Sequence, residues 1–159
     1  MGTDLYLQIG GRPIHQDHNG LPRDEVYVAL LEESAEGVVV IDRAFIRGRP
    51  VEQLKLTFKR GQVVHIDALG VESVRLLAEL LAASSGDKDR IAELGLGLNP
   101  GVTVLTGDIL LDEKINDSVH IAIGTNASYG GQNRSNLHLG LIMLYPSLWL
   151  DGTLIRLPG

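Results

Sequence analysis

Apolar and polar positions alternate with a period of two through most of the chain, and this pattern predicts strands. Leu5, Leu7 and Ile9 alternate with Tyr6 and Gln8 before a Gly10-Gly11 pair, which reads as a hairpin returning over residues 13–16. Beyond a polar Gly/Pro loop at 17–24, strands are expected at 25–31 and 37–41. Two more are expected at 54–58 and 62–67, joined by Lys59-Arg60-Gly61. The period changes at 71–83, where Val71, Val74, Leu77 and Leu81 share one helical face and Glu72, Arg75 and Glu79 the other. A break at Gly86-Asp87-Lys88-Asp89 follows, then a strand at 92–98 and a loop-rich stretch to Asn116. Strands at 119–124 and 137–144 precede a terminal hairpin turning at Asp151-Gly152. With no internal repeat and no linker, the expectation is one β-rich α+β domain over residues 1–159, a mixed or antiparallel sheet with one main packing helix.

Three of these strands carry an unusual alternation. In 92–98, Glu93 shares a face with Gly95 and Gly97, opposite Leu94, Leu96 and Leu98. In 119–124, His120 shares its face with Ala122 and Gly124, opposite Val119, Ile121 and Ile123; in 137–141, His138 lies with Gly140, opposite Leu137, Leu139 and Leu141. Small neighbours leave room above the backbone for an ion or substrate. Two imidazoles and a carboxylate on one face suit Zn, Co, Mn or Fe(II). The competing reading has hydrogen-bonded core histidines, a solvent-facing Glu93 and glycines that only allow the sheet to bend; pattern alone leaves both open.

Composition narrows the chemistry. Of 159 residues 44% are hydrophobic, enough for a sizeable core, and 19 are glycine, so close backbone approach is expected. The absence of cysteine removes thiolate nucleophiles and thiolate metal sites, so any ion must be held by N and O ligands. A net charge of −6 with dispersed Arg and Lys argues against nucleic acid and anionic membrane as partners. No apolar run approaches the roughly 20 residues of a membrane helix and no secretory signal stands at Met1, so a cytoplasmic protein is expected. His15 and His18 near the polar loop are expected to be solvated. Glu32-Glu33-Ser34-Ala35-Glu36 is read as a solvated turn and Asp112-Glu113-Lys114 as a surface charge pair.

The successive stretches PRDEVYVA (22–29), LKLTFKRGQVV (54–64), AELGLGLNP (92–100), DEKINDSVHIAIG (112–124), GGQNRSNLHLGLIM (130–143) and LDGTLI (150–155) resemble, in order, the carboxy-terminal domain of the aminopeptidase T family of cytoplasmic metallo-aminopeptidases. Members of that family also carry a larger amino-terminal α/β domain, which is not expected within these 159 residues. The resemblance implies a two-metal site holding Zn or Co, with Glu25, Glu93, His120 and His138 at four ligand positions. The fifth position, the Asp of a His-x-Asp pair, is Gly140 here, and the nearest match to a family tyrosine is Tyr129. Glu25, Glu93 and Tyr129 are the implied catalytic residues, and a homodimer acting on a peptide or another small substrate is the implied assembly.

Three functions follow as expectations. The first is a metal-dependent aminopeptidase-like hydrolase in which an ion-activated water attacks a peptide bond. A second is a non-catalytic homo-oligomerising or ligand-binding domain that has lost the two-metal site, as Gly140 suggests. The third is a mononuclear Fe(II) ring-cleaving dioxygenase, because a pyridine-ring dioxygenase family is similar to this domain and two histidines with one carboxylate form a facial triad.

Overall fold

The computed structural model describes residues 2–17 and 23–157. The chain is α+β with two antiparallel sheets. Strands β1 (Asp4–Tyr6), β4 (Glu36–Ile46), β5 (Arg49–Lys59) and β6 (Gln62–Asp67) form one sheet in the order β1-β4-β5-β6. Strands β2 (Ile14–Asp17), β3 (Glu25–Ala29), β7 (Ile91–Gly97), β8 (Ser118–Gly124) and β9 (His138–Leu144) form the other, in the order β2-β3-β7-β8-β9. A separate hairpin pairs β10 (Leu148–Leu150) with β11 (Thr153–Ile155).

Three hairpins share one turn chemistry. Ile46 pairs with Arg49, Lys59 with Gln62 and Leu150 with Thr153, each across two residues of positive φ: Arg47-Gly48, Arg60-Gly61 and Asp151-Gly152. Such turns match the right-handed twist of the flanking strands, and glycine at the second position adopts positive φ without a Cβ penalty. Pattern reading anticipates the second and third and misses the first, where strands of 11 residues run on through 46 and 49. The expected hairpin of the first 16 residues does not form. Instead, β1 adds to β4 and β2 adds to β3 on the other sheet, so Gly10-Gly11 turns the chain from one sheet to the other.

The core lies between the sheets. Val39, Ile41, Leu54 and Leu56 from the four-stranded sheet meet Ile91, Ile121, Ile123 and Leu141 from the five-stranded one, and β4 lies against β9. Helix α1 (Val71–Ala83) has the predicted bounds and closes the core against β5 and β6. Its buried residues are Leu76 and Leu77, whereas Val71 is exposed, so the buried stripe is centred further along the helix than expected. The loop-rich stretch contains a one-turn helix, α2 (Ile109–Asp112), capped by the Asp108 carboxylate on the Leu110 N–H. Among the described residues no helix is long and apolar enough to cross a membrane, which says nothing about strands.

Candidate metal centre

With Leu94, Ile121, Ile123, Leu139 and Leu141 turned into the core, the period of two turns Glu25, Glu93, His120 and His138 to the opposite face of the five-stranded sheet. Register then sets their neighbours. One row across the sheet reads His15, Tyr27, Gly95, His120, Ile142; the next reads Ala29, Glu93, Ala122, Gly140. Glu25 and Gly97 stand opposite each other at one end of the face, and His138 with Gly124 at the other.

The small residues of this face do not leave open space, as the sequence suggests. The protein fills it. A Cβ on Gly95 would collide with the His120 ring, which lies flat over that strand. One on Gly97 would collide with the Ile115 carbonyl and come within 2.9 Å of the Glu113 carbonyl. At Gly140 it would stand 2.7 Å from Glu113 Oε1 and 2.8 Å from Ile109 Cδ1. The segment from α2 to Ile115 therefore passes directly over the sheet, carrying Asp112, Glu113 and Lys114 with it. All three are buried, at 2%, 9% and 4% exposure, which corrects the reading of this triplet as a surface charge pair. Asp112 is satisfied locally, accepting hydrogen bonds from the Thr106 and Gly107 amides and the Thr106 hydroxyl.

The remaining groups converge. His120 Nε2 lies 3.1 Å from Glu25 Oε1 and 3.2 Å from Glu93 Oε1, and the second oxygen of Glu25 accepts from the Lys114 ammonium. His138 Nε2 lies 3.8 Å from Glu93 Oε2. Glu93 is thus shared by two ligand groups, Glu25–Glu93–His120 and Glu93–Glu113–His138, in each of which the donor atoms lie within 4.8 Å of one another. Glu93 and Glu25 are both buried, so the reading in which Glu93 faces solvent does not hold. Residue-type reasoning missed Glu113. Its signal was present, because Glu113 Oε1 comes to the place a side chain at Gly140 would occupy, where the family pattern has its missing carboxylate.

The donor set fits a divalent cation. Separations of 3.1 and 3.2 Å within the inner group approach the edge of a tetrahedron, about 3.3 Å, set by bonds of roughly 2.0 Å. His138 donates from Nδ1 to the Thr125 carbonyl at 3.0 Å, which fixes the tautomer whose Nε2 lone pair points toward Glu93; metal-bound histidines are held this way. His120 Nδ1 has no such partner among the described residues.

Electrostatics show the same demand for positive charge. Burial alone would lower the His120 pKa, but hydrogen bonds to Glu25 and Glu93, with Glu113 nearby, push it up to about 9. Burial would raise the Glu25 carboxyl, yet His120 and Lys114 hold it below its usual value. Glu113 shifts upward because burial and the Glu25 and Glu93 charges outweigh the attraction of His120 and Lys114.

Aromatic rings border the cluster. His15 stacks on Tyr27 at 5.2 Å, Tyr129 stands edge-on to Tyr27 at 5.5 Å and to His138 at 6.2 Å, and His15 Nε2 donates to the Tyr129 carbonyl at 3.0 Å. His15 is therefore half-buried and bonded instead of solvated, while His18 lies outside the described residues. Tyr129 reaches this position through a loop pinned by Asn126 and Asn133, whose amides bond the Ala92, Ile91 and Gly124 carbonyls. The hydroxyl of Tyr129 donates to the Thr125 carbonyl at 3.4 Å; burial and Glu93 raise its pKa, so it stays protonated. Glu32 belongs to the same support and accepts from Arg12, Asn126 and the Gln132 amide, while Ser34 and Ala35 are buried, so residues 32–36 are only partly a solvated turn.

A family profile described as thermophilic metalloprotease (M29) matches residues 9–142. Among solved structures, wild-type AmpT from Thermus thermophilus is similar at 27% identity and a TM-score of 0.66 over 89% of this chain. The 2,5-dihydroxypyridine dioxygenase from Pseudomonas putida KT2440 is similar at 16% identity and a TM-score of 0.75 over 96% of this chain, a likeness of fold. The chain spans 41% of the first of these proteins and 50% of the second. No curated protein sequence matches it.

Proposed function

Because the chain belongs to the thermophilic metalloprotease family M29, we propose that it forms the metal centre of an aminopeptidase-like hydrolase, with Glu25, Glu93, His120 and His138 as ligands and Zn or Co as the ion. The observation that carries this reading is the sharing of Glu93 between two groups of donor atoms on one sheet face. Glu113, opposite Gly140, supplies the carboxylate that the sequence pattern lacks, which favours a working centre over a degenerate one.

When bound, a divalent cation acidifies water and polarises a carbonyl oxygen. The chain's own groups divide the remaining work. The two acids implied as catalytic, Glu25 and Glu93, are the candidates to take the proton of that water, and each has one oxygen close to His120 Nε2, at 3.1 Å and 3.2 Å. Tyr129, held protonated beside Glu93, donates a hydrogen bond and does not act as a base. Tyr27 and His15 form a stacked aromatic wall along which a substrate side chain is oriented. Cytoplasmic location and homodimer formation belong to the same proposal.

Metal analysis combined with turnover of amino-acid p-nitroanilides tests it. Hydrolysis that requires added Zn or Co and disappears in His120→Ala is the expected result. Folded, metal-free protein with no hydrolysis would instead mark a non-catalytic domain. Oxygen uptake with Fe(II) and a hydroxypyridine would mark ring cleavage.

A further inference from the structure

A strand turns to the opposite face at every residue, so residues two apart point the same way. Ile91 and Glu93 do not. Ile91 lies in the core between the sheets, whereas Glu93 lies in the metal centre on the other face. The cause is the register of β7 against β8: Ile91 pairs with Ile123 and Glu93 with Ala122, which leaves Ala92 as one extra residue on β7. A bulge of this kind re-aims the side chains beyond it and separates ladder groups from their strand partners.

Two asparagines close over the bulge. Asn133 Nδ2 donates to the Ile91 carbonyl at 2.9 Å and to the Gly124 carbonyl at 3.0 Å, joining β7 to β8 beside the extra residue. Asn126 Nδ2 donates to the carbonyl of Ala92 itself at 3.1 Å and to Glu32 Oε1 at 3.2 Å. Asn126 Oδ1 accepts from the Asn133 backbone amide at 2.9 Å, which fixes the orientation of the Asn126 side chain. Both residues are buried, at 0% and 2% exposure, so water does not readily replace a lost bond. Gly131 completes the arrangement, since a Cβ there would overlap the Asn126 side chain. The pair brackets the turn Ala127–Tyr129, so the same amides tie Tyr129 and Glu93 to one framework. Resting on the metal-centre reading above, we propose that Asn133, with Asn126, is a positioning residue of the centre: its amide holds the Ala92 bulge in the form that turns Glu93 out of the core and toward His120 and His138.

Cobalt(II) titration followed by visible absorption tests this on the wild-type chain, on Asn133→Ala and, as a control for stability, on Ile121→Ala, which truncates a core side chain on the inner face. Asn133→Ala is expected to weaken Co(II) binding by about 10–100-fold, as loss of a ligand's supporting bonds does, and to change the intensity of the visible bands, which report the number and arrangement of donors around the ion. Ile121→Ala is expected to leave affinity and spectrum as in the wild type. Glu93→Gln is expected to weaken binding in the wild type but to add no more than about twofold in Asn133→Ala, because both changes act through one carboxylate. Wild-type affinity and spectrum in Asn133→Ala would overturn the role, and so would losses from Asn133→Ala and Glu93→Gln that multiply. The wild-type chain also gives a readout that needs no folded variant: the Asn133 side-chain amide resonances are expected to shift, and their hydrogen exchange to slow, when zinc is added. An Asn133 amide indifferent to zinc bound by the same chain would overturn the role while leaving the metal centre standing. A wild type that binds neither cobalt nor zinc would overturn the metal-centre reading itself.

Discussion

The two faces of the five-stranded sheet are built from the same strands by the same alternation, yet they obey different rules. On the inner face Leu94, Ile121, Ile123, Leu139 and Leu141 meet a second sheet that is equally aliphatic, and any side chain of the right volume serves. On the outer face each position has a named occupant: the His120 ring over Gly95, the Ile115 carbonyl against Gly97, Glu113 and Ile109 against Gly140. Burial alone does not distinguish the faces, because His120 and Ile121 are both fully buried. What separates them is tolerance: one face stores free energy in area, the other in positions.

Paired substitutions break this comparison most sharply. Ile121→Ala removes a fully buried side chain from the inner face and is expected to destabilise the chain by about 2–5 kcal/mol in chemical denaturation, with zinc affinity of the folded protein within a few-fold of wild type. Gly95→Ala, a smaller change on the outer face, is expected to reverse the pattern. The new methyl must push His120 off the strand, so zinc affinity falls by about 10–100-fold, as when a ligand loses its supporting contacts. Equal effects of the two variants on both readouts would show that the faces do not differ.

A second variant sharpens the account of Gly140. If Glu113 replaces the family's aspartate in space, then restoring that residue creates a collision instead of a better site. Gly140→Asp places its Cβ 2.7 Å from Glu113 Oε1 and adds another acid beside the buried glutamates Glu25, Glu93 and Glu113. The expected loss is about 1–3 kcal/mol of stability without metal, from overpacking and like charge. A more stable Gly140→Asp protein would mean that Glu113 is not the substitute.

Legibility in the sequence divides along the same line. Alternation exposes the inner face, the helix and most strand bounds because each depends on residues near one another in the chain. The same alternation places Glu93, His120 and His138 on one face. It cannot place Glu113 or Lys114, whose positions depend on a loop crossing a sheet formed by segments far away; in sequence they look like any surface charge pair. It also errs at residues 5–16, since Gly10-Gly11 marks a turn but not which strands flank it, and tertiary pairing sent them to different sheets. The glycines on strand faces were a signal read as open space: Gly97 and Gly140 mark where the segment from α2 to Ile115 crosses the sheet, and Gly95 marks where the His120 ring lies.

The outer face should also respond to pH in a way the inner face cannot. In the metal-free chain His120 rises from 6.5 to about 9, so its contribution to stability is complete below pH 6.5 and is lost as pH climbs through about 9. Glu25 works from the other side: its lowered carboxyl contributes above its ordinary value of 4.5 and that contribution is lost in acid. Thermal denaturation without metal should therefore show a maximum between these limits. Zinc affinity should rise across the window in which His120 loses its proton, approaching about tenfold per pH unit, because the ion and the proton compete for Nε2. A melting temperature that is flat from pH 6.5 to 9 would place His120 in a neutral state throughout.

The smallest expected effect asks how far the exacting character of the outer face extends from Glu93. His15 lies in the same row as His120 with two strands between them, stacked on Tyr27, with Nε2 bonded to the Tyr129 carbonyl. His15→Phe keeps the ring and its stacking area and removes one hydrogen bond, so a loss of about 0.5–1.5 kcal/mol is expected in denaturant unfolding. Zinc affinity should stay within about twofold, since no donor atom of either ligand group rests on His15. A larger drop in affinity would mean that the aromatic row holds Tyr129 and His138 in register with the carboxylates, extending the positional rule to the edge of the sheet. An unchanged affinity would confine that rule to β3, β7, β8 and β9 and the loop that crosses them, leaving β2 to govern only what substrate lies along it.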